Sequence, residues 1–374
     1  MGEKYSVEQL VRVAGRENNK IRPYLYVDPL QGKHIPVRPS ESVKLFRTLA
    51  EMVENEYPGE RVLVIGFAET ATAIGAGIAA YAENVRYCIH TTREKYDDAE
   101  YLYFTESHSH AAEQSLIING FESIIGSTDR IIFAEDEVTT GNTICKLIDV
   151  LCRHFRRFRL RFGIVSILNS MTDERISELS AKGIKCLYAA KIPFEYNTDV
   201  ISKYTYCEPH DKSSQDSADM SVSLSGYMNL RYLTEKHAYV RACQELADRL
   251  YEETSSEENG KRILVLGTEE FMFPAMMYAK FLSDRRKCSE VYFHATTRSP
   301  IMVSRDEGYP LYSRYKINSM YETGRTTFVY DLSDYDTAVI VTDAGAGKSS
   351  GEYELAAALR DAGCKRIITA RWTR

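Results

Sequence analysis

Short apolar strands alternate with apolar-periodic helices along most of the chain, and this alternation constrains the fold more than any other feature. The clearest strand is Arg61–Gly66, and the Ala-rich segment Thr70–Tyr81 follows it with helical spacing. A further strand over Arg130–Ala134 precedes a helix with one apolar face. Because strands that alternate with helices pair in parallel, we predict an α/β fold with a parallel sheet flanked by helices.

The same succession restarts in the second half of the chain. Arg262–Gly267 repeats the apolar pattern of Arg61–Gly66, and a second Thr-Thr-Arg triplet begins at Thr296, as one does at Thr91. From the first Thr of the triplet to the Asp at the end of the next strand, the spacing is 45 residues in the first half and 47 in the second. These matches in the same order predict a tandem duplication of one α/β unit, with the second copy divergent.

Composition gives the domain boundaries and the broad class of protein. The stretch 207–225 is polar and is predicted to be a linker between a first domain, 1–206, and a second, 226–374. The chain is 44% hydrophobic and 27% charged, as in globular proteins, and its apolar runs fall short of the roughly 18–20 residues of a membrane helix. We therefore expect no membrane partner.

Net charge narrows the expected partners, and cysteine usage narrows the expected compartment. The net charge of −6 does not favour nucleic acid. Five arginines lie between Arg153 and Arg161 beside two phenylalanines, and we interpret them as a solvated helix end rather than an RNA surface. Eight cysteines without a Cys-x-x-Cys pair indicate a reducing cytoplasm and argue against a zinc site.

One segment carries the chemistry. After the strand Ile131–Ala134 come the acids Glu135, Asp136 and Glu137, and a hydroxyl-rich turn then opens a helix; the turn consists of Thr139, Thr140, Gly141, Asn142 and Thr143. Ligands of open parallel sheets bind at the carboxyl ends of strands, and a helix N-terminus offers backbone N–H groups to a phosphate. Acids beside such a turn suit sugar hydroxyls or hydrated Mg²⁺, so the pattern predicts a sugar-phosphate site.

This segment resembles the phosphoribosyl-pyrophosphate signature of type I phosphoribosyltransferases: four apolar residues, two acids, two further residues, then Thr-Thr-Gly-Asn-Thr. Glu137 departs from it, because many members have an apolar residue there, and it adds a carboxylate that could act as a base. The resemblance implies a Mg²⁺-dependent transferase. Glu135 and Asp136 would hold the ribose hydroxyls and, through ligand or water, the metal, and Thr139–Thr143 would hold the 5′-phosphate.

More of the chain fits the same resemblance. The pyrophosphate loop of such enzymes would be formed here by Phe67, Ala68, Glu69 and Thr70. Arg93 or Lys95 would hold the diphosphate, and Tyr96–Ser115 would form the mobile hood that excludes water. His108 and His110 lie in that hood, where metal binding, catalysis and plain solvation all stay open.

The segments Asn19–Tyr26 and Gly32–Val37, together with the Thr-Arg-Ser-Pro motif Thr297–Pro300, are similar to one subgroup. It is the orotate phosphoribosyltransferase-like family of bacterial tellurite-resistance (stress-response) operons, whose members carry a C-terminal TRSP domain. The resemblance implies ribosyl transfer from phosphoribosyl pyrophosphate to a base-like acceptor, in making a nucleoside-like metabolite. A homodimer is left open.

The second copy offers a possible second site, formed by Arg298, Asp343, Gly347, Lys348, Ser349 and Ser350. Gly347-Lys348-Ser349 does not complete a nucleotide P-loop, because position 342 is Thr where that motif needs Gly. By the repeat it is a second phosphate loop, and a phosphorylated ligand and a decayed site stay equally open.

Two rival functions use the same fold. One is a non-catalytic regulator that senses nucleotide or phosphoribosyl pyrophosphate, and the other is a hydrolase or phosphorylase of N-glycosidic bonds. The acid pair Glu135–Asp136 and the long hood favour the transferase, because a sensor needs neither a clamp for a leaving group nor exclusion of water.

Overall fold

The computed structural model describes residues 5–17, 19, 22–104, 114–193, 199–208, 210–211, 215–254, 261–286, 290–347 and 349–374. The chain forms two compact units. Unit 1 comprises Met1–Val7, Val43–Glu195 and Met228–Arg241, and unit 2 comprises Glu8–Ser42, Tyr196–Tyr227 and Ala242–Arg374. Among the described helices, none combines the length and the apolar character needed to cross a membrane.

The secondary structure follows the predicted alternation. The helices are α1 (Val7–Leu10), α2 (Pro39–Glu56), α3 (Thr72–Tyr81), α4 (Phe121–Ile125), α5 (Asn142–His154), α6 (Asp173–Ala181), α7 (Asp199–Ser202), α8 (Lys236–Thr254), α9 (Phe273–Arg285) and α10 (Gly351–Asp361). The strands are β1 (Arg12–Gly15), β2 (Tyr24–Val27), β3 (Val62–Gly66), β4 (Val85–His90), β5 (Tyr101–Tyr103), β6 (Ser115–Ile117), β7 (Arg130–Val138), β8 (Phe162–Asn169), β9 (Lys185–Lys191), β10 (His210–Asp211), β11 (Met220–Leu224), β12 (Thr234–Glu235), β13 (Arg262–Gly267), β14 (Glu290–Ala295), β15 (Arg314–Asn318), β16 (Thr326–Tyr330), β17 (Thr337–Thr342) and β18 (Arg366–Trp372).

Unit 1 is built on a six-stranded sheet in the order β12-β4-β3-β7-β8-β9, parallel except for the short edge strand β12. Every residue of β3 and of β8 is buried, as expected for strands covered on both faces by helices. At the carboxyl end of β3, Gly66 pairs with His90 of β4 and with Ala134 of β7. This register brings the loops after β3, β4 and β7 to one edge of the sheet.

Two glycines let α3 pack directly on the end of β3. A Cβ on Gly75 would lie 2.8 Å from the Cα of Gly66, and a Cβ on Gly66 would lie 2.8 Å from the carbonyl oxygen of Ala71. Either contact is shorter than packed atoms tolerate, so these two positions need glycine. The loop between β3 and α3 is consequently short and tightly held.

Unit 2 has a five-stranded parallel sheet in the order β11-β18-β17-β13-β14. The hairpin β15–β16, which β10 joins, and the antiparallel pair β1–β2 also belong to this unit. One core cluster fills the space between β13, β17, the hairpin and α10; it includes Leu266, Val329, Ile340 and Leu355, each 0% exposed.

The two sheets repeat one strand order. In unit 1, four neighbouring strands have the order β4-β3-β7-β8, and an antiparallel hairpin, β5–β6, comes between β4 and β7 in sequence. In unit 2, the corresponding order is β14-β13-β17-β18, and the hairpin β15–β16 comes between β14 and β17 in sequence. The fifth parallel strand differs, because β9 follows β8 in sequence whereas β11 precedes its whole sheet. The predicted fold class, a parallel α/β sheet followed by a divergent unit of similar build, is confirmed.

Two expectations about the chain's division need correction. Part of the segment expected to be a linker is a strand: Met220–Leu224 pairs in parallel with Arg366–Trp372, and Leu224 is buried. Residues 8–42 group with unit 2 and not with the first domain, because Val37, for example, forms a bridge to Phe293. The linear domain boundaries at 206 and 226 otherwise stay a prediction.

Candidate functional site

The acids of unit 1 lie where β7 runs past the end of β3. Thr70, in the loop after β3, donates a hydrogen bond of 2.8 Å from its Oγ1 to Oδ1 of Asp136. Two segments that are far apart in sequence, the predicted pyrophosphate loop and the predicted acid pair, are therefore joined by one contact.

The two carboxyl groups of the acid pair are hydrogen-bonded to each other. Burial is the main cause that raises the pKa of Glu135 well above its usual value, and the negative charges of Asp136 and Glu137 add to it. Neighbouring acids of this kind favour a ligand that brings positive charge or hydroxyl donors to them.

The loop after β3 is fixed by a buried threonine. The backbone N–H of Ala68 donates to Thr91 Oγ1 at 2.8 Å, and the backbone N–H of Thr91 donates to the carbonyl of Gly66 at 2.9 Å. The peptide bond between Ala68 and Glu69 is cis. Sequence reasoning used Thr91 only as a marker of the repeat, although the repeated Thr-Thr-Arg triplet at matched spacing was itself a signal of this structural role.

The predicted loop residues have different surroundings. Phe67 is 1% exposed and contacts the rings of Phe104 and Phe133, so its side chain belongs to the core. Glu69 is also buried, and Thr70 is half-buried against Asp136. The side chains of this loop thus face inward. The backbone N–H groups of Phe67 and Ala68 donate within the unit, to the carbonyl of Ala134 and to Thr91 Oγ1, so an anion would meet the loop at Glu69 and Thr70.

The hydroxyl-rich turn leads into α5 as predicted. Gly141 is the N-cap residue of α5, and its φ of 69° lies in the left-handed region in which glycine is favoured. As a glycine, it provides no side-chain cap for the helix. Thr140, Asn142 and Thr143 are exposed, and Thr139 is half-buried. The backbone N–H of Asn142 donates to Thr140 Oγ1 at 3.3 Å. The exposed hydroxyls and N–H groups of the turn form a cradle of donors at the positive end of the helix dipole.

An arginine that the sequence did not single out holds this turn. Arg175, in the first turns of α6, donates from Nε to the carbonyl of Thr140 at 3.0 Å and from Nη2 to Oδ1 of Asn142 at 3.3 Å. It also pairs with Glu178 at 2.9 Å. Arg175 brings positive charge to the turn, but no sequence motif links it to a loop 35 positions away.

The predicted diphosphate cations lie apart from each other. Arg93 is half-buried directly after Thr91 and Thr92. Lys95 instead lies over the rings of Tyr101 and Tyr103, with Nζ 4.9 and 4.5 Å from the ring centroids. The ammonium group of Lys95 is therefore directed to β5, whereas Arg93 follows directly on the residues that hold the loop.

The hood is described only at its base. Ser115 of β6 exchanges backbone hydrogen bonds of 2.8 and 3.0 Å with Thr92, and Gln114 donates from Nε2 to the carbonyl of Ala68 at 3.0 Å. The base of the hood is thus attached to the loop after β3. Residues 105–113, which include His108 and His110, lie outside the described part of the chain.

Glu137 points to a further polar group at the same edge of the sheet. Its Oε1 accepts a hydrogen bond of 3.4 Å from Ser170 Oγ, and the neighbouring Asn169 accepts one of 3.5 Å from Lys191 Nζ at the end of β9. Ser170, Asn169 and Lys191 were not predicted. Asn169 and Lys191 end β8 and β9, the two strands beyond β7 in the sheet, and Ser170 directly follows β8.

The predicted second-site residues lie at the corresponding edge of unit 2. Arg298 pairs with Glu269 at 2.7 Å, Asp343 accepts hydrogen bonds from two tyrosines, and Ser350 precedes α10. Ser349 donates to the carbonyl of Ser319. Gly347 has a φ of 69°, whereas Lys348 lies outside the described residues.

Comparison with known families fits this geometry. Residues 10–191 match the family model described as phosphoribosyl transferase. Residues 232–359 match the model described as the TRSP domain, C-terminal to that family. The chain belongs to this phosphoribosyltransferase family with a C-terminal TRSP domain. The expected enzyme class, a phosphoribosyltransferase, is thereby confirmed. None of the curated proteins that were compared matches the chain.

Solved phosphoribosyltransferases resemble part of the chain. The adenine phosphoribosyltransferase of Giardia lamblia is 12% identical, with a TM-score of 0.36, over 51% of this chain and 97% of that one. The Trypanosoma brucei adenine enzyme is 11% identical, with a TM-score of 0.35, over 51% of this chain and 80% of that one. A Bacillus anthracis hypoxanthine-guanine enzyme is 17% identical, with a TM-score of 0.25, over 41% of this chain and 79% of that one.

Proposed function

We propose that unit 1 transfers a ribose 5-phosphate group from phosphoribosyl pyrophosphate to a base-like acceptor, in a Mg²⁺-dependent reaction. The observation that carries the proposal is the hydrogen bond from Thr70 to Asp136, on the strand that leads to the hydroxyl-rich N-terminus of α5. It unites a loop suited to a diphosphate, acids suited to sugar hydroxyls and a cradle suited to a phosphate.

The acid pair fits a ligand that arrives with Mg²⁺. Glu135 and Asp136 share a hydrogen bond, and burial with the nearby charges raises the pKa of Glu135. Hydroxyl donors and a hydrated divalent cation suit the negative charge gathered there, and oxygen ligands are those that Mg²⁺ prefers. The metal would neutralise the charge of the leaving diphosphate.

Each part of the site receives one role in this proposal. The end of the loop Phe67–Thr70 and the cation of Arg93 hold the diphosphate, and the turn Thr139–Thr143 holds the 5′-phosphate. Asp136, fixed by Thr70, orients the ribose hydroxyls. The substrate is thereby held at both ends, with C1 of the ribose exposed to the acceptor.

The chemical step is a displacement at C1. A lone pair on the acceptor nitrogen forms the new N–C1 bond, the bond from C1 to the pyrophosphate oxygen breaks, and its electron pair leaves with pyrophosphate. We assign the proton of the acceptor nitrogen to Glu137, whose carboxylate is kept in place by Ser170. The hood, attached through Gln114, would exclude water that competes with the acceptor.

The test is pyrophosphate release from phosphoribosyl pyrophosphate with Mg²⁺ and a panel of nucleobases and related heterocycles. We expect release that depends on one class of acceptor and that is lost in Asp136→Asn. Asp149→Asn, an exposed position on α5, is the matched control and retains release. Clear substrate binding without release for any acceptor would favour the sensing regulator, and release of free ribose 5-phosphate would favour the hydrolase.

The setting of the reaction is proposed on the sequence alone. We propose a cytoplasmic setting, which the spacing of the cysteines supports. The subgroup's link with tellurite-resistance operons suggests that the product is a nucleoside-like metabolite of a stress response.

A further inference from the structure

The loop after the first parallel strand is built alike in the two units. In unit 1 the backbone N–H of Ala68 donates to Thr91 Oγ1 at 2.8 Å, and in unit 2 the backbone N–H of Glu269 donates to Thr296 Oγ1 at 3.0 Å. Glu269 therefore stands at the position of Ala68. Where unit 1 has a methyl group, unit 2 has a carboxylate.

The acid after the third strand is also equivalent. Gly66 pairs with the β7 residue two positions before Asp136, and Gly267 pairs with the β17 residue two positions before Asp343. Asp343 is thus the counterpart of the acid that we assign to the ribose hydroxyls.

Glu269 is surrounded by the groups that would bind a phosphate oxygen. Its Oε2 lies 2.7 Å from Arg298 Nε and 3.1 Å from Arg325 Nη2, and its Oε1 accepts a hydrogen bond from Ser319 Oγ. Its side chain is 2% exposed. Two guanidinium groups and a hydroxyl around one anion are a typical set of donors for a phosphate or diphosphate group, and here an internal carboxylate uses all of them.

Asp343 is occupied in the same way. Its Oδ2 accepts a hydrogen bond from the hydroxyl of Tyr227 at 2.5 Å, and its Oδ1 accepts one from the hydroxyl of Tyr321 at 2.6 Å. Tyr321 is held in turn by Thr268 Oγ1 at 2.7 Å. Two phenol hydroxyls thus take the places that two sugar hydroxyls would need on this carboxylate.

The turn before α10 is occupied as well. Ser350 Oγ donates to Oε1 of Glu354 at 2.6 Å and accepts from Nδ2 of Asn318 at 2.9 Å. A carboxylate at this turn repels a phosphate, in contrast to the exposed hydroxyls at the start of α5.

We propose that unit 2 carries a closed copy of the substrate site, in which Glu269 replaces the diphosphate and the hydroxyls of Tyr227 and Tyr321 replace those of the ribose. The chain then binds one phosphoribosyl pyrophosphate, at unit 1. The statement about unit 1 rests on the proposed function, whereas the closure of unit 2 does not.

Glu269 keeps the site of unit 2 closed, because its carboxylate occupies both arginines. Without its carboxylate, Arg298 and Arg325 are left partly buried without their shared counter-charge, which is unfavourable until an anion replaces it. Glu269→Ala also restores the residue type that unit 1 has at Ala68. We therefore expect this substitution to create affinity for an anion where the natural chain has none.

The experiment uses the full chain, Mg²⁺ and two labelled probes, phosphoribosyl pyrophosphate and inorganic pyrophosphate, in equilibrium dialysis. The site of unit 1 is first disabled by Asp136→Asn with Thr140→Ala. Glu269→Ala is then added on that background. The matched control is Glu322→Ala. It also removes a carboxylate that pairs with Arg325, but the side chain of Glu322 is 64% exposed.

We expect one phosphoribosyl pyrophosphate per natural chain, none in the disabled background, and pyrophosphate binding at least about tenfold tighter with Glu269→Ala than with Glu322→Ala. One equivalent still bound in the disabled background would overturn the proposal, and so would equal affinity in the two alanine variants. If Glu269→Ala does not fold, Glu269→Gln keeps the size and removes the charge, and the same comparison decides. A natural chain that binds no phosphoribosyl pyrophosphate contradicts the proposed function, while the Glu269 comparison still decides on unit 2.

Discussion

Thr70 Oγ1 lies 2.8 Å from Oδ1 of Asp136 and donates a hydrogen bond to it. The contact joins the loop after β3 to the acid at the end of β7, so that the two parts of the site cannot move independently. It also fixes one oxygen of the carboxylate, which leaves the orientation of the group defined before a ligand arrives.

Thr70→Val removes this hydrogen bond with little change of volume. Because a lost hydrogen bond to a charged group costs on the order of 1.5 kcal/mol, we expect affinity for phosphoribosyl pyrophosphate to fall about tenfold. Calorimetric titration of both proteins measures it. The control is Thr48→Val, which should leave affinity unchanged. Thr48 is a buried threonine of α2 whose Oγ1 donates to the backbone carbonyl of Lys44. Equal affinity of Thr70→Val and the natural chain would contradict the coupling.

The glycine contact between β3 and α3 predicts a separation of stability from binding. Gly75→Ala places a Cβ 2.8 Å from the backbone of Gly66, and Gly77→Ala places one 2.5 Å from the ring of Phe46. Both overpack the core and should lower the free energy of unfolding by about 1–3 kcal/mol in urea titrations. Only Gly75→Ala shifts the loop after β3, so only it should also weaken substrate binding. Equal loss of binding in both variants would show that the loop is not set by this contact.

The parts of the site that lie together in sequence were predictable, and those joined across the fold were not. The acids Glu135 and Asp136 and the turn Thr139–Thr143 form one continuous motif, so strand, acids and helix start follow from local pattern. The hydrogen bond from the backbone N–H of Ala68 to Thr91 Oγ1 spans 23 positions. Such pairings depend on which strands are neighbours in the sheet, which apolar periodicity does not specify.

Long-range contacts also explain why two segments group differently from the expected division of the chain. Residues 8–42 are contiguous with the first domain, but long-range contacts such as Val37 with Phe293 group them with unit 2. The strand Met220–Leu224 did have a local signal, because its burial-prone residues alternate with serines at a period of two. The polar residues before it concealed that signal.

A buried aspartate predicts an unusual dependence of stability on pH. Burial raises the pKa of Asp331 to about 7, although the backbone N–H groups of Tyr312 and Ser313 donate to it at 2.9 and 3.0 Å. Because the pKa of Asp331 is higher in the folded state than in the unfolded state, the protonated side chain stabilises the fold. This contribution is complete below the unfolded-state pKa near 4 and is lost as pH rises through the folded-state pKa of about 7. The natural chain should therefore become less stable between pH 5 and pH 8, by on the order of a few kcal/mol at this site.

Asp331→Asn keeps the acceptor oxygen and removes the titration. Asparagine also tolerates the φ of 48° at this position. Thermal unfolding from pH 5 to pH 8 should give a flatter curve for this variant, with the higher Tm above pH 7. Asp334→Asn, at a side chain that is 77% exposed, is the control and should keep the natural slope. Parallel curves for Asp331→Asn and the natural chain would rule out this titration.

Arg175 is expected to act on binding of the 5′-phosphate through the turn that it holds. Its guanidinium contacts the carbonyl of Thr140 and the side chain of Asn142 at once, so Arg175→Ala should leave the turn loose and remove a positive charge beside it. We expect affinity for ribose 5-phosphate and for phosphoribosyl pyrophosphate to fall together, about tenfold, while affinity for inorganic pyrophosphate stays unchanged.

Arg175→Lys should not restore the two lost affinities, because an ammonium group cannot present the fixed fork of donors that two acceptors require. Glu178→Ala removes the exposed partner of Arg175 and should leave all three affinities as they are. Loss of pyrophosphate affinity in Arg175→Ala would mean that the arginine supports the whole unit rather than the turn.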